Sequence, residues 1–118
     1  MIISGLVQKG QSRGKKLGFP TMNFPLIEKI DEGIYVSHID IGGKQYNALT
    51  FIGAAKTFDE TTYQAETYVF DFDQDIYGEY VSISLLKKMR DNQKFDSEQE
   101  LISQMEKDKK EAEAWFKN

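Results

Sequence analysis

At 118 residues the chain has the length of one ordinary domain, and we expect a single domain over residues 1–118. It has no cysteine and one histidine, which excludes disulfides, thiolate metal sites and multi-histidine zinc sites. The net charge of −4 is atypical of a general nucleic-acid binder. No apolar run approaches the roughly 20 residues of a membrane span, and the first residues do not resemble a secretion signal. We therefore expect a cytoplasmic protein without nucleic-acid or membrane partners.

The first two-thirds of the chain predict short β-strands. Segments rich in β-branched and aromatic residues lie at 2–7, 22–24, 34–41, 46–52, 61–72 and 80–86. Gly42 and Gly43, between the third and fourth segments, can supply the positive φ angles of a tight hairpin turn. In the last segment Val81, Ile83 and Leu85 alternate with serines, which predicts one buried face. Many short strands without βαβ alternation predict a mainly β fold, either a barrel or a sandwich.

The C-terminal third predicts a helix. Ser97 and Glu100 have the spacing of a capping box, in which each side chain satisfies a free backbone N–H at the start of a helix. Apolar residues then recur at helical spacing between lysines and glutamates, at Leu101, Met105, Ala112, Trp115 and Phe116. We expect this apolar stripe to pack on the β-structure.

A glycine- and lysine-rich stretch at residues 10–18 is the first candidate for chemistry. Its three glycines let backbone N–H groups approach an anion closely, and Lys15 and Lys16 add positive charge to an otherwise acidic protein. It is not a Walker loop, because it lacks the GK[ST] ending. The pattern therefore suits a phosphate-bearing small molecule, and the alternative is a solvated loop.

Two oxygen-bearing side chains follow this stretch. Thr21 and Asn23 come directly after Pro20 and project from the same face of a predicted strand. Mg²⁺ prefers oxygen ligands and completes its shell with water and nucleotide phosphates. The pair is thus a candidate magnesium site, and the alternative is two surface polar residues at a strand start.

Glu66 is a candidate general base. It shares a strand face with Tyr68 and Phe70, where desolvation would raise the pKa of a carboxyl group. The alternative is a glutamate at a sheet edge that faces water.

The aspartates that follow Glu66, at positions 71, 73 and 75, lack the glycine and glutamate of a calcium-binding loop, so we interpret them as a polar turn. Arg90 lies between the last strand and the helix, where a surface arginine is the default.

Together these signals resemble the riboflavin kinase family. Residues 5–23 follow the pattern GxVxxGxxxGKxLGFPTxN, and the similarity continues through ETYVFDF at 66–72 and DIYG at 75–78. It extends to Arg90, Phe95 and the helix after Ser97, and so covers nearly the whole chain. The resemblance implies a six-stranded antiparallel Greek-key barrel with a C-terminal α-helix packed on it.

The resemblance also implies roles for individual residues. Thr21 and Asn23 would hold Mg²⁺ with ATP phosphate oxygens, and Glu66 would be the catalytic base on the riboflavin 5′-hydroxyl. The implied nucleotide-binding residues are Gly10, Gly14, Lys15, Lys16, Gly18, Phe19, Pro20, Thr21 and Tyr77. The implied flavin-binding residues are Asn23, Arg90 and Phe95.

The expected activity is ATP-dependent phosphorylation of riboflavin to FMN by a monomer. The nucleotidyltransferase half of the family's bifunctional members is absent from these residues, so FMN rather than FAD is the expected product. Three positions depart from the family pattern: Lys15 replaces arginine, Lys56 replaces proline and Phe51 replaces asparagine. The alternative is a catalytically weakened flavin- or nucleotide-binding regulatory module on the same barrel. An oligonucleotide-binding barrel is disfavoured by the negative charge.

Overall fold

The computed structural model describes residues 1–8, 22–26, 29–53, 64–72 and 78–117. In chain order the elements are β1 (Ile2–Leu6), β2 (Met22–Pro25), β3 (Gly33–Ile41), β4 (Lys44–Gly53), β5 (Gln64–Val69), β6 (Tyr80–Arg90) and α1 (Glu98–Lys117). Strands and helix thus lie where the residue patterns predict them. Within the described part of the chain, no helix combines the length and the apolar character needed to cross a membrane.

The six strands form a nearly closed antiparallel barrel. Their spatial order is β1-β6-β3-β4-β5-β2, and β6 returns to pair with β3, which is the Greek-key arrangement. The two outer strands meet through Gln8, just after β1, whose N–H donates to the carbonyl oxygen of Asn23 in β2 at 2.8 Å. A Cβ on Gly5 would lie 2.5 Å from the ring of Phe24, so glycine permits β1 and β2 to approach. The mainly β barrel prediction is confirmed.

The hairpin between β3 and β4 has the predicted turn. Gly42 and Gly43 have φ angles of 59° and 86°, and the Gly43 N–H donates to the Asp40 carboxylate at 3.1 Å. Two positive φ values in a two-residue turn match the right-handed twist of the flanking strands. The turn therefore fixes the register of β3 against β4, in which Ile41 lies opposite Lys44.

Among the described residues inside the barrel, a chain of three hydroxyl groups interrupts the apolar packing. Alternate residues of each strand point inward, among them Val81 and Ile83 of β6, as the alternation predicts. Ser37, Thr50 and Thr67 lie on three adjacent strands and are almost completely buried. The Thr50 hydroxyl is 2.8 Å from that of Ser37 and 3.0 Å from that of Thr67. Each hydroxyl thus has a partner inside the barrel.

Helix α1 begins at a capping box. The Glu100 N–H donates to the Ser97 hydroxyl at 3.2 Å, as predicted. The Glu100 carboxylate, however, accepts from the N–H of Asp96 rather than of Ser97, at 3.1 Å. The helix ends against the outer face of the barrel, where Phe116 stacks on His38 with ring centroids 5.6 Å apart. The cap and this stacking anchor the two ends of α1.

Two strand ends and the apolar stripe of α1 differ from the sequence prediction. Strand β5 ends at Val69 rather than residue 72, because the chain turns at residues 70 and 71. Strand β6 extends to Arg90 rather than residue 86, because it stays paired with β3 through its charged end. Trp115 belongs to the predicted apolar stripe but is 37% exposed, whereas Ala112 is fully buried. The stripe that packs on the barrel is therefore narrower at its C-terminal end than the spacing of apolar residues predicts.

Candidate functional site

A row of directly paired residues crosses five strands on the outer face of the barrel. Asn23 of β2 lies opposite Glu66 of β5, and Glu66 lies opposite Phe51 of β4. Phe51 in turn lies opposite Ile34 of β3, which lies opposite Arg90 of β6. Directly paired residues project from the same face of a sheet. This cross-strand row therefore brings three candidate site residues, predicted from separate segments, onto one face.

Glu66 occupies the centre of β5. Its neighbours Ala65 and Thr67 are buried in the barrel, so Glu66 projects outward, where it is half-buried. Gln64 Nε2 lies 3.4 Å from Glu66 Oε2, which is a long hydrogen bond from the same face. Tyr68 follows on that face as predicted. The carboxylate thus lies at the boundary between the barrel surface and solvent.

Asn23 is the buried neighbour of Glu66. Only 5% of Asn23 is exposed, and its backbone is held by Glu66's strand on one side and by Gln8 on the other. Among the described residues, no group of three or more His, Cys, Asp or Glu side chains is placed to hold a metal ion. The oxygen donors that the described residues bring together here are the amide of Asn23 and the carboxylate of Glu66. Both are hard donors of the kind that Mg²⁺ accepts.

A small cavity of about 80 Å³ lies between the cross-strand row and α1. The sheet supplies its floor and the helix supplies one wall, through Met105 and Asp108. The residues that line it are Ile34, Leu49, Thr50, Phe51, Glu66, Tyr68, Met105 and Asp108. Most of these side chains are apolar. The lining also contains two carboxylates, those of Glu66 and Asp108.

Arg90 ends β6 and is held by the helix. Ile34 pairs with Arg90 while Tyr35 pairs with Lys88, so Met89 is an extra residue in β6. Such a bulge re-aims the side chain that follows it. Arg90 Nε and Nη2 donate to the two carboxylate oxygens of Asp108 at 2.9 and 2.8 Å. The default expectation of a solvent-facing arginine is therefore wrong.

Asp108 is the site residue that the sequence analysis missed. It lies three residues after Met105 and four before Ala112, and hence within the apolar stripe of α1, yet it is only 4% exposed. Gln104 Nε2 also donates to its Oδ1, at 3.0 Å. An acidic residue at a packing position of an amphipathic helix was the available signal, because such a carboxylate needs a partner.

Phe95 lies beside Arg90. The guanidinium carbon of Arg90 is 5.9 Å from the centre of the Phe95 ring, within the range of a cation–π contact. Arg90 Nη1 also donates to the backbone carbonyl of Asp91 at 3.1 Å. Arg90 and Phe95, two of the three predicted flavin-binding residues, thus form one cluster with Asp108.

A wider, charged depression of about 500 Å³ flanks this cluster. Lys88 Nζ lies there, 2.7 Å from an Asp91 oxygen and 3.2 Å from an Asp31 oxygen. The hydrogen bond that Lys88 donates to the Asp91 carboxylate raises the pKa of Lys88 and lowers the pKa of Asp91. Both aspartates are largely exposed, so solvent screens these pairs and they add little to stability.

All of the predicted nucleotide-binding residues lie outside the part of the chain that the structure describes. They are Gly10, Gly14, Lys15, Lys16, Gly18, Phe19, Pro20, Thr21 and Tyr77. The same holds for Lys56 and for two of the three alternating aspartates, Asp73 and Asp75. The third, Asp71, lies in a turn directly after β5 with a φ of 58°. That position agrees with the interpretation of a polar turn.

Comparison with known proteins gives several matches along the whole chain. A family model described as riboflavin kinase matches residues 1–116. The trifunctional protein RibF/MnmA of Mycoplasmoides gallisepticum is 41% identical over 117 residues, which are 97% of this chain and 18% of that protein. The bifunctional riboflavin kinase/FMN adenylyltransferase of Bacillus subtilis is 37% identical over 122 residues, covering 98% of this chain and 39% of that protein. The chain thus spans less than half the length of these curated relatives.

Two crystal structures share the fold. The macrolide-efflux protein from Streptococcus pneumoniae superposes with a TM-score of 0.85 at 36% identity, over 97% of this chain and 38% of that chain. Riboflavin kinase from Trypanosoma brucei superposes with a TM-score of 0.66 at 23% identity, over 99% of this chain and 80% of that chain. The second likeness supports the barrel and helix architecture.

Proposed function

Because the chain belongs to the riboflavin kinase family, we propose that it transfers the γ-phosphate of ATP to the 5′-hydroxyl of riboflavin, giving FMN and ADP. The main structural support for this proposal is the pairing of two candidate site residues. Asn23 and Glu66 are direct cross-strand partners on the face that borders the cavity under α1. A candidate ligand for a phosphate-bound cation thus lies beside a candidate proton acceptor.

Glu66 is the proposed general base. As the riboflavin 5′-oxygen bonds to the γ-phosphorus, its proton passes to a carboxylate oxygen of Glu66, and the bond between the γ-phosphorus and the β,γ-bridging oxygen breaks to release ADP. Phosphoryl transfer needs little covalent help from the protein, so positioning and charge neutralisation supply most of the rate. The position of Glu66 at the centre of a paired strand suits a group that must hold a hydroxyl in place.

Asn23 and Thr21 are the proposed ligands of Mg²⁺. The buried amide of Asn23 fits this role, since it is a hard oxygen donor next to a carboxylate. When bound, the cation neutralises charge on the nucleotide phosphates. Thr21 lies outside the described residues and enters the proposal from the resemblance to the family motif.

The nucleotide would be held by the glycine-rich stretch. The proposal assigns backbone N–H groups from Gly10 to Gly18 and the side chains of Lys15 and Lys16 to the phosphates, with Tyr77 on the nucleotide side. This assignment rests on the family motif at 5–23. Positive charge in an acidic protein supports it, because local cations attract an anionic ligand.

Arg90 and Phe95 are the proposed flavin-side residues. A guanidinium next to an aromatic ring offers one flat charged surface and one flat apolar surface, which suits a polar three-ring ligand. We further propose that the protein works in the cytoplasm as a monomer and binds small molecules only.

A product assay tests the proposed function. The protein is incubated with riboflavin, ATP and Mg²⁺, and riboflavin, FMN and FAD are separated by chromatography. FMN without FAD is the expected result. If flavin binds but no FMN forms, the protein is a regulatory module on the kinase barrel. If flavin neither binds nor reacts, the family assignment describes ancestry and fold alone, and the proposal is wrong.

A further inference from the structure

Phe51 lies in the middle of the cross-strand row, between the candidate base and the flavin-side residues. It is paired directly with Glu66 of β5 on one side and with Ile34 of β3 on the other. Ile34 in turn is paired with Arg90 of β6. The Phe51 side chain is half-buried and lines the cavity under α1. A ligand that reaches from Glu66 to Arg90 across the sheet therefore passes over Phe51.

The spacing of the strands indicates which part of riboflavin would lie over this ring. Neighbouring strands are about 4.8 Å apart, so Phe51 lies one spacing from Glu66, whereas Arg90 lies three spacings away, or about 14 Å. The proposed function places the riboflavin 5′-hydroxyl at Glu66 and the ring system near Arg90. The ribityl chain joins these two parts of the substrate. Its inner carbons, which carry the 2′, 3′ and 4′ hydroxyl groups, would thus lie over Phe51.

The size of the cavity agrees with this placement. Its volume is about 80 Å³, whereas pockets that enclose a whole ligand of flavin size usually measure roughly 300–1,000 Å³. A narrow chain suits such a space better than a three-ring system does. The ring system would then lie at the rim of the cavity, where Arg90 contacts Phe95.

The sheet under this part of the chain is apolar. Between Glu66 and the end of β6 it presents Phe51 and Ile34, and neither side chain can form a hydrogen bond. Thr50 also lines the cavity, but its hydroxyl is bonded to the two other hydroxyl groups inside the barrel. Tyr68 lies two residues from Glu66 along β5, and hence to one side of the path across the strands.

The Phe51 ring takes the place of a side chain that could recognise a hydroxyl group. Position 51 is asparagine in the family pattern, and an amide can both donate to and accept from a substrate hydroxyl. A site that hydrogen-bonds a substrate hydroxyl rejects an analogue without it by about 10⁴–10⁵-fold, whereas an apolar surface separates such a pair by only about 10²-fold. The inner hydroxyl groups of the chain therefore contribute little to recognition at Phe51.

We propose that Phe51 relaxes the specificity of the site for the flavin side chain, so that it phosphorylates isoalloxazines whose N10 chain ends in a primary alcohol, with or without the inner hydroxyl groups. This inference rests on the proposed function and widens its substrate class. With either chain, the terminal oxygen bonds to the γ-phosphorus as its proton passes to Glu66. The bond between the γ-phosphorus and the β,γ-bridging oxygen breaks, and ADP leaves.

A comparison of two substrates tests the inference on the wild-type protein. Riboflavin and 7,8-dimethyl-10-(5-hydroxypentyl)isoalloxazine, which lacks the inner hydroxyl groups, are each incubated with ATP and Mg²⁺, and the phosphorylated flavin is quantified by chromatography. We expect the two values of kcat/KM to agree within about tenfold. A stronger preference for riboflavin would overturn the inference and leave the proposed function intact. If neither flavin is phosphorylated, the proposed function itself fails.

Substitutions at position 51 test whether this residue is the cause. Phe51→Asn supplies an amide and should raise the preference for riboflavin by about five- to tenfold, the effect of one hydrogen bond. Phe51→Leu stays apolar and should keep the wild-type preference, even where both KM values rise. Leu6→Asn makes a similar change on the exposed face of β1 and should match the wild type with both substrates. An unchanged preference in Phe51→Asn would contradict the role of Phe51. The wild-type comparison decides the substrate class even if a variant does not fold.

Discussion

The buried hydroxyl chain makes a quantitative prediction about the barrel. Thr50 is its central member, because its hydroxyl is bonded to those of both Ser37 and Thr67. Thr50→Val keeps the shape of the side chain and removes that hydroxyl. The two outer hydroxyls, which are at most 1% exposed, then each lose a partner that water cannot replace.

The magnitude follows from these two lost bonds. A neutral hydrogen bond contributes about 0.5–1.5 kcal/mol net, and two of them give about 1–3 kcal/mol, so we expect a loss of about 2 kcal/mol. For a domain of this length, a destabilisation of 1 kcal/mol lowers Tm by roughly 4 °C. The variant should therefore melt about 8 °C below the wild type.

Thermal unfolding followed by circular dichroism measures this effect, and two variants serve as controls. Ser82→Ala breaks a similar 3.0 Å hydroxyl bond to Ser4 on the exposed face and should change stability by less than about 0.5 kcal/mol. The triple variant with Ser37→Ala, Thr50→Val and Thr67→Val leaves no hydroxyl without a partner and should recover part of the loss. A Thr50→Val protein as stable as Ser82→Ala would refute the reasoning.

Two further substitutions test how the barrel closes and how the helix starts. Gly5→Ala places a Cβ 2.5 Å from the Phe24 ring, so we expect it to lower the free energy of unfolding by about 1–3 kcal/mol. Denaturant unfolding measures this change. An unchanged stability would show that β1 and β2 do not approach so closely. Ser97→Ala removes the acceptor for the Glu100 N–H and should cost about 1 kcal/mol by the same measurement, whereas Ser103→Ala on the exposed face of α1 should cost less.

The local elements of this fold were predictable because their signals are local. Gly42 and Gly43 predict a turn from their own backbone freedom, and Ser97 with Glu100 predicts a helix start from their spacing. The inward face of β6 follows from the alternation of Val81 with serines. Each of these features depends on residues within a few positions of one another, and the structure agrees with all of them.

The candidate site was predictable in its members but not in its arrangement. Asn23 and Glu66 were each singled out for side-chain chemistry, but their direct pairing depends on the register of β2 against β5, which residue patterns do not specify. Asp108 escaped notice because its partner Arg90 lies on a different element. A buried charge is explained by its partner, and that partner is found only in the folded molecule.

The role of Glu66 is the central claim, and a comparison of Glu66→Gln with Glu113→Gln tests it most directly. Both substitutions neutralise one glutamate, but Glu113 lies on the exposed face of α1. We measure kcat for FMN formation and the Kd of riboflavin for each protein. The account predicts that Glu66→Gln lowers kcat by about 10²–10⁴-fold, the usual contribution of a general base, with little change in Kd. Glu113→Gln should match the wild type. A Glu66→Gln enzyme that turns over at the wild-type rate would contradict the account.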